Sequence, residues 1–415
     1  MKAKSLKNKY NTMLKRYICS VAVITVLMSS CKEKVLSAKI DFNKTELVDK
    51  ITTQLKYSPV LEDDSITSKR RVFPRTMDET GKIRLVSKRD WTSGFYPGVL
   101  WFAYELSDDN YWKQEAVKFT ELLENEQFNA GNHDIGFKMM SSYGLGYKYT
   151  KNEAYKKVLV QSAKTLITRF DETVGCIRSW DHHQDKWEYP VIIDNLMNLE
   201  LLYWAWKETG DSVFYNVANT HAKTTMKNHF RSDYSTYHVV NYDTITGVAK
   251  NKVTHQGYAD DSCWARGEAW ALYGYTMAYR ETQDTEFLKQ AEKVANYIIN
   301  IVKLPEDFIP TWDFSLKDDP SEPKDASAAA VMASAFYELS TFTKNTKNKE
   351  DYLRVADNMV ASLSTENYFN TQGAESGFLL KHSTGAKPGN SEIDVPLVYA
   401  DYYYLEAISR KVNLK

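Results

Sequence analysis

One pattern recurs along this chain: an aromatic-rich segment at helical spacing, a short polar turn, then an amphipathic segment with a single apolar stripe. Residues 98–106 lead through 107–110 into a helix ending near Glu126, and 141–149 lead through Lys151 and Asn152 to about Phe170. The same alternation links 199–208 through 209–211 to about Phe230, and 264–280 through 282–284 to near Val302. It links 326–342 through Lys344 and Asn345 to near Leu363, and 396–410 closes the series. The amphipathic stretch 44–57 supplies the sixth partner. Each hairpin buries its apolar face only against its neighbours, so six of them predict an all-α (α/α)6 barrel, a toroid of six helical hairpins in a single domain. An open solenoid of the same hairpins needs polar capping repeats, which the sequence lacks.

Residues 1–30 read as a lipoprotein signal peptide. A basic stretch ends at Lys15 and Arg16, an apolar run from 17 to 28 is too short to span a bilayer, and Ser29, Ser30 and Cys31 follow. Leu27-Met28-Ser29-Ser30-Cys31 resembles a bacterial lipoprotein signal, which implies acylation at Cys31 and an exported protein, periplasmic or outer-membrane anchored. Residues 31–42 then form a tether and 43–415 the barrel domain. Cys176 and Cys263 remain, too few and too far apart to build a disulfide framework. With 53 basic and 54 acidic residues the net charge is -1, so no global field gathers nucleic acid. An anionic ligand must be held by a local site, and no feature sets an oligomeric state.

In such a ring the loops entering the inner helices gather at one mouth. Asp90, Trp91, Asp134, Asp194, Trp264, Arg266 and the 391–394 stretch all stand at or before the start of an inner helix. Asp134, in Asn132-His133-Asp134-Ile135-Gly136-Phe137, and Asp194, in Ile192-Ile193-Asp194-Asn195-Leu196, make the carboxylate pair that glycoside cleavage uses. Helix capping is the competing explanation for each, since Asp commonly precedes an apolar helical run. The aromatic content of 13 % suits rings that stack on sugar faces. Trp264 and Arg266, with Trp270 beyond them, set a guanidinium beside aromatic walls, which fits a sugar carboxylate; structural pairing of Arg266 with Asp260 or Asp261 is the alternative. His182 and His183, beside Asp181 and Asp185, lie in a polar turn that reads as solvated loop rather than a metal site. No phosphate-cradling loop, nucleophile elbow or Cys-His signature appears, and neither metal nor cofactor is expected.

Together these segments resemble the unsaturated glucuronyl hydrolases of glycoside hydrolase family 88, from about Asp90 to Ala407. The resemblance is specific in four places: the Asp90 to Phe95 turn, His133-Asp134-Ile135-Gly136-Phe137, Asp194-Asn195-Leu196-Met197-Asn198-Leu199, and His255-Gln256-Gly257 through Trp270. It implies an (α/α)6 barrel that removes 4,5-unsaturated glucuronic acid from the non-reducing end of lyase-generated oligosaccharides. It implies Asp194 as general acid/base, Asp134 as catalytic partner, a sugar subsite of His238, Gln256, Trp264, Arg266 and Trp270, and Trp91 stacking nearby. Lys387, in His382-Ser383-Thr384-Gly385-Ala386-Lys387, occupies the place of a sulfate-binding Ser and Lys motif, although His382 and Gly385 replace the expected serines. The rivals are an unsaturated rhamnogalacturonyl hydrolase taking pectin-type fragments and a non-catalytic, lipid-anchored glycan-binding protein.

Overall fold

The structure, a computed structural model, describes residues 44–414. The segments expected to form a signal peptide and a tether, with Cys31, lie outside the described residues, and the described residues belong to one compact unit. Its helices in chain order are α1 (Lys44–Leu55), α2 (Phe95–Ser107), α3 (Asn110–Glu121), α4 (Ile135–Met139) and α5 (Leu145–Thr150). They continue with α6 (Glu153–Ile167), α7 (Leu199–Thr209), α8 (Ser212–Asn228), α9 (Ala265–Thr282), α10 (Thr285–Asn296), α11 (Ala326–Phe342), α12 (Thr346–Leu363) and α13 (Val398–Asn413). The inner ring is α2, α4 with α5, α7, α9, α11 and α13, and α13 packs on both α11 and α2 to close it. The fold is the (α/α)6 barrel that the recurrence predicts.

Burial separates the two rings. In α9 the buried positions run unbroken from Ala265 to Ala278, because an inner helix is covered on every side. In α10 they fall at Phe287, Gln290, Ala291, Val294 and Ala295, the single stripe of an outer helix. The turns between rings repeat one device. Asp108, Lys151, Gly210 and Gln283 end inner helices in the left-handed conformation, and the next residue, Asp109, Asn152, Asp211 or Asp284, caps the outer helix by accepting a backbone N–H. Helix α1 fills the sixth outer position, packing on α2, while Lys50 Nζ reaches the carbonyl of Ser364 just past α12. At the closing seam a Cβ on Gly98 would stand 2.5 Å from the Tyr402 ring, so only glycine admits α13 at this distance.

The second inner element begins earlier than its sequence suggests, at Ile135 rather than Ser141, and a π-turn over Met140–Gly144 joins α4 to α5. The hydroxyls of Ser141 and Ser142 donate back to the carbonyls of Phe137 and Lys138 there, diverting the regular ladder. Short strands dress the mouth: β1 (Phe73–Met77) pairs with β2 (Ile83–Val86), and β3 (Phe170–Asp171) with β4 (Cys176–Ile177). An antiparallel sheet joins β5 (Pro190–Ile192), β6 (Val239–Tyr242) and β7 (Ala249–Val253). Cys176 and Cys263 are both free and buried.

Candidate active site

Neither acid is explained by capping. Asp134 stands at the cap of α4 but its carboxylate makes no cap bond, and Asp194 lies inside the 3-10 helix Ile193–Asn198, whose cap is Ile192. The two segments touch: the Phe137 N–H donates to Asn198 Oδ1 at 2.8 Å, and a Cβ on Gly136 would meet Asn198 Cα at 2.5 Å. The side chains of Asp134 and Asp194 keep 18 % and 13 % of their exposure, so both are largely enclosed yet open to a ligand. Asp134 Oδ1 lies 3.2 Å from Nε2 of buried His133.

Burial pushes the Asp194 carboxyl up from 3.8 to about 7, the charge of Asp134 adds to the rise, and Arg266 opposes it. His238 Nε2 lies 3.7 Å from Asp194 Oδ2. The backbone N–H groups of His255 and Gln256 both donate to His238 Nδ1, each at 3.1 Å, so the ring proton resides on Nε2 and points toward Asp194. Burial, then the neighbouring His255 and Arg266, hold this imidazole well below its ordinary value, and it is neutral.

Three buried polar atoms here have no hydrogen-bond partner, Asp194 Oδ2, His238 Nε2 and Trp264 Nε1, and Trp270 Nε1, which has none of good geometry, faces the Asp194 carboxyl and favours its ionised form. Each such atom costs ~1–3 kcal/mol, and a cluster around one acid marks a place where a ligand completes the bonding. Aromatic rings wall it in. His238 and Trp264 lie 4.7 Å apart, Trp270 meets Phe137 edge-on at 5.3 Å, and Trp91 lies 5.0 Å from Tyr399. The 3-10 turn carrying Trp91 is fixed by Asp90, which accepts from the Thr92 backbone and hydroxyl.

A raised acid beside a second carboxylate, facing unpaired indole and imidazole donors, is equipment for acid/base chemistry on a sugar. The model of Glycosyl Hydrolase Family 88 matches residues 67–411. The chain belongs to glycosyl hydrolase family 88. Among its relatives, the unsaturated glucuronyl hydrolase of Formosa agariphila is 49 % identical over 82 % of this chain and 85 % of that protein. The unsaturated chondroitin disaccharide hydrolase of Streptococcus pneumoniae is 33 % identical over 88 % of this chain and 91 % of its own length. A crystal structure of an unsaturated glucuronyl hydrolase specific for heparin superposes with a TM-score of 0.84 at 46 % identity, covering 88 % of this chain and 96 % of the other.

The family 88 site departs from the sequence reading at its cationic residues. Arg266 does lie between aromatic walls, 4.5 Å over Trp264 and 5.4 Å over Tyr399. Yet its Nη1 donates to Asp325 Oδ2 at 2.7 Å and to the Thr384 carbonyl at 2.6 Å, and its Nη2 to the Gly385 carbonyl at 2.5 Å. Three of its five N–H donors are thus used within the protein, on neither Asp260 nor Asp261, so Arg266 anchors the 384–385 loop and sets a field at Asp194. Gln256 Nε2 donates to the same Gly385 carbonyl at 3.1 Å. Lys387, two residues on, is ion-paired with Glu322 and lies 5.5 Å over Trp312.

Several residues have no signal in the sequence. Arg75 in β1 holds Asp90 at 2.9 Å and Glu392 at 2.5 Å, tying the Trp91 turn to the 391–394 loop, where Glu392 and Asp394 both adopt φ of +55°. Asp325 receives Arg266, while His133, which stands in the motif read from the sequence, is buried beside Asp134. Among the described residues no three His, Cys, Asp or Glu side chains gather to hold a metal ion.

Proposed function

We propose that the chain hydrates the C4–C5 double bond of a 4,5-unsaturated glucuronic acid at the non-reducing end of glycosaminoglycan-type oligosaccharides, releasing that sugar. The observation that carries this reading is the Asp194 carboxyl, raised to about 7 with an unpartnered Oδ2, beside Asp134. The neutral acid delivers its proton to C4, leaving positive charge at C5 shared with the ring oxygen. The Asp194 carboxylate so formed takes a proton from the water that adds at C5. The product is a hemiketal that opens without further help, breaking the glycosidic link. Asp134 is the catalytic partner whose charge helps keep Asp194 protonated, and the unpartnered His238 Nε2–H, which points toward Asp194, is free to bond the sugar held there. Trp91, Trp264 and Trp270 supply stacking faces and indole donors. Gln256 and Arg266 hold the 384–385 backbone that closes the sugar subsite, and Lys387 stands at its rim.

The names of the relatives, glucuronyl and chondroitin disaccharide hydrolases, support a glycosaminoglycan-derived substrate. Mixing the protein with lyase-generated unsaturated disaccharides should extinguish the ultraviolet absorbance of the conjugated enol ether. Persistence of that absorbance, or turnover confined to pectin-type fragments, overturns the reading.

We also propose, from the sequence of residues 1–31, export and acylation at Cys31, with the enzyme periplasmic or outer-membrane anchored. Cys31→Ala should then move the protein from the membrane fraction to the soluble one; a membrane fraction unchanged by that substitution refutes the anchor.

A further inference from the structure

The segments on either side of the β1–β2 hairpin enclose a recess of about 370 Å³ that the chemistry above leaves unused. Residues 67–73 wall it on one side and 87–89 on the other, and Leu122, just past α3, closes it. Its floor is apolar, with Val72 and Phe73 buried and Leu122 half-buried, while Thr67 and Ser87 add hydroxyls to the wall. Four cations line it, Lys69, Arg70, Lys88 and Arg89, and no acid does. Lys69 is paired with Asp63, and Asp90, next to Arg89, is held by Arg75. Arg70, Lys88 and Arg89 have no acidic partner among the described residues, so three uncompensated charges border one hollow. Cations kept only for solubility gain nothing from sharing a walled cavity, where they repel one another.

We propose that this recess is a second ligand site, separate from the catalytic mouth, and that it takes a phosphorylated monosaccharide. A phosphomonoester carries about −1.5 to −2 of charge at about pH 7 and three strong acceptor oxygens, which suits several cations with no acid among them better than a singly charged carboxylate or sulfate ester does. The volume is that of a small-ligand pocket. The floor of Val72, Phe73 and Leu122 suits the apolar face of a pyranose ring, and the Thr67 and Ser87 hydroxyls can exchange hydrogen bonds with those of the sugar. The recess is joined to the mouth through the backbone. The Asp90 N–H donates to the Ser87 carbonyl at 3.0 Å and the Ser93 hydroxyl to the Lys88 carbonyl at 2.9 Å, so the strip bearing Lys88 and Arg89 is continuous with the turn that carries Trp91. A ligand drawn onto these two cations fixes that strip and pre-places the Trp91 face, which strengthens substrate binding without touching the reacting atoms.

Calorimetry of the full chain with glucose 6-phosphate as the probe tests the site independently of the reaction. Saturable binding is expected, weakened at least about tenfold by Arg70→Ala with Lys88→Ala, two substitutions that strand no acid. Glucose and inorganic sulfate, each alone, should bind at least about tenfold more weakly than the ester. The coupling to Trp91 rests on the glucuronyl hydrolase reading: saturating probe should lower the KM for an unsaturated disaccharide about threefold at unchanged kcat, and in the double variant KM should be the same with and without probe. Absence of saturable binding, binding that survives the double substitution, or sulfate held as tightly as the ester overturns the site, as does capture of the chain by phosphatidylglycerol vesicles that the probe does not displace. A KM indifferent to bound probe overturns the coupling. Failure to consume the disaccharide while the probe still binds overturns the hydrolase reading and leaves the site standing.

Discussion

Replacing Asp194 by Asn separates catalysis from stability, because the feature that makes this carboxyl an acid is a cost to the fold. Were its pKa 3.8, about one molecule in a thousand would carry the proton at pH 7; at about 7, half do. The displacement amounts to ~4 kcal/mol, an upper figure since 13 % of the side chain is exposed. The sign follows from linkage. A folded-state pKa above the unfolded one gives a contribution that is complete below pH 3.8 and is lost as pH rises through about 7. Asn cannot ionise, so at about pH 8 the variant should melt a few degrees above the wild type, and at about pH 4 the two should coincide. In the absorbance assay the variant should lose at least ~10³ in kcat, the scale of a lost general acid/base. The wild-type kcat/KM should fall as pH rises through about 7. An Asn variant within tenfold of wild type, or one less stable at pH 8, refutes the assignment.

Other substitutions probe how that acid is held. Gly136→Ala forces a methyl to within 2.5 Å of Asn198 Cα and 2.7 Å of its carbonyl, prising the Asp134 turn from the Asp194 helix. A stability loss of ~1–3 kcal/mol with a kcat loss of ~10² is expected, and a variant with normal kcat shows that the spacing of the acids is immaterial. Arg266→Met strands the fully buried Asp325, costing ~3–5 kcal/mol in chemical denaturation. In the fraction that folds, the basic limb of the pH profile should move upward, since Arg266 holds Asp194 down; an unmoved limb refutes that coupling. Glu268 is buried, accepts from the Thr236 backbone at 2.7 Å, and is pushed by burial up to about 8. Glu268→Gln should change stability by less than ~1 kcal/mol at pH 6 and raise it above pH 8, where the native side chain must ionise; equal melting curves at high pH argue against a neutral Glu268.

The ring was legible because everything that specifies it is local. Helical spacing, polar turns such as Ser107-Asp108-Asp109-Asn110 and the change from all-round to one-sided apolar character each fall within a window of about twenty residues. The mouth was legible for the same reason, since inner-helix starts can be counted along the chain. The break at Ser141 was not, because a hydroxyl that bonds a carbonyl four residues back reads the same as one that faces solvent. Sequence proximity also misplaced the cations: Asp260 and Asp261 are near Arg266 in the chain, but its partner is 59 residues away, and Lys387 finds Glu322 at a separation of 65. Long-range ion pairs leave no periodic trace.

The tautomer of His238 shows how a backbone turn sets the chemistry of a side chain it does not touch. A protonated imidazole 3.7 Å from Asp194 Oδ2 would draw the carboxyl into its ionised form, and the proton needed at C4 would be gone. The His255 and Gln256 N–H groups prevent this by occupying Nδ1, because adding a proton there would break both bonds and set three N–H dipoles against one another. Desolvation therefore acts on the two neighbours in opposite senses with one result: it raises the acid, lowers the base, and favours the neutral form of each. A neutral Asp194 and a neutral His238 need no counter-ion of their own, which leaves Arg266 available to Asp325 and the 384–385 carbonyls.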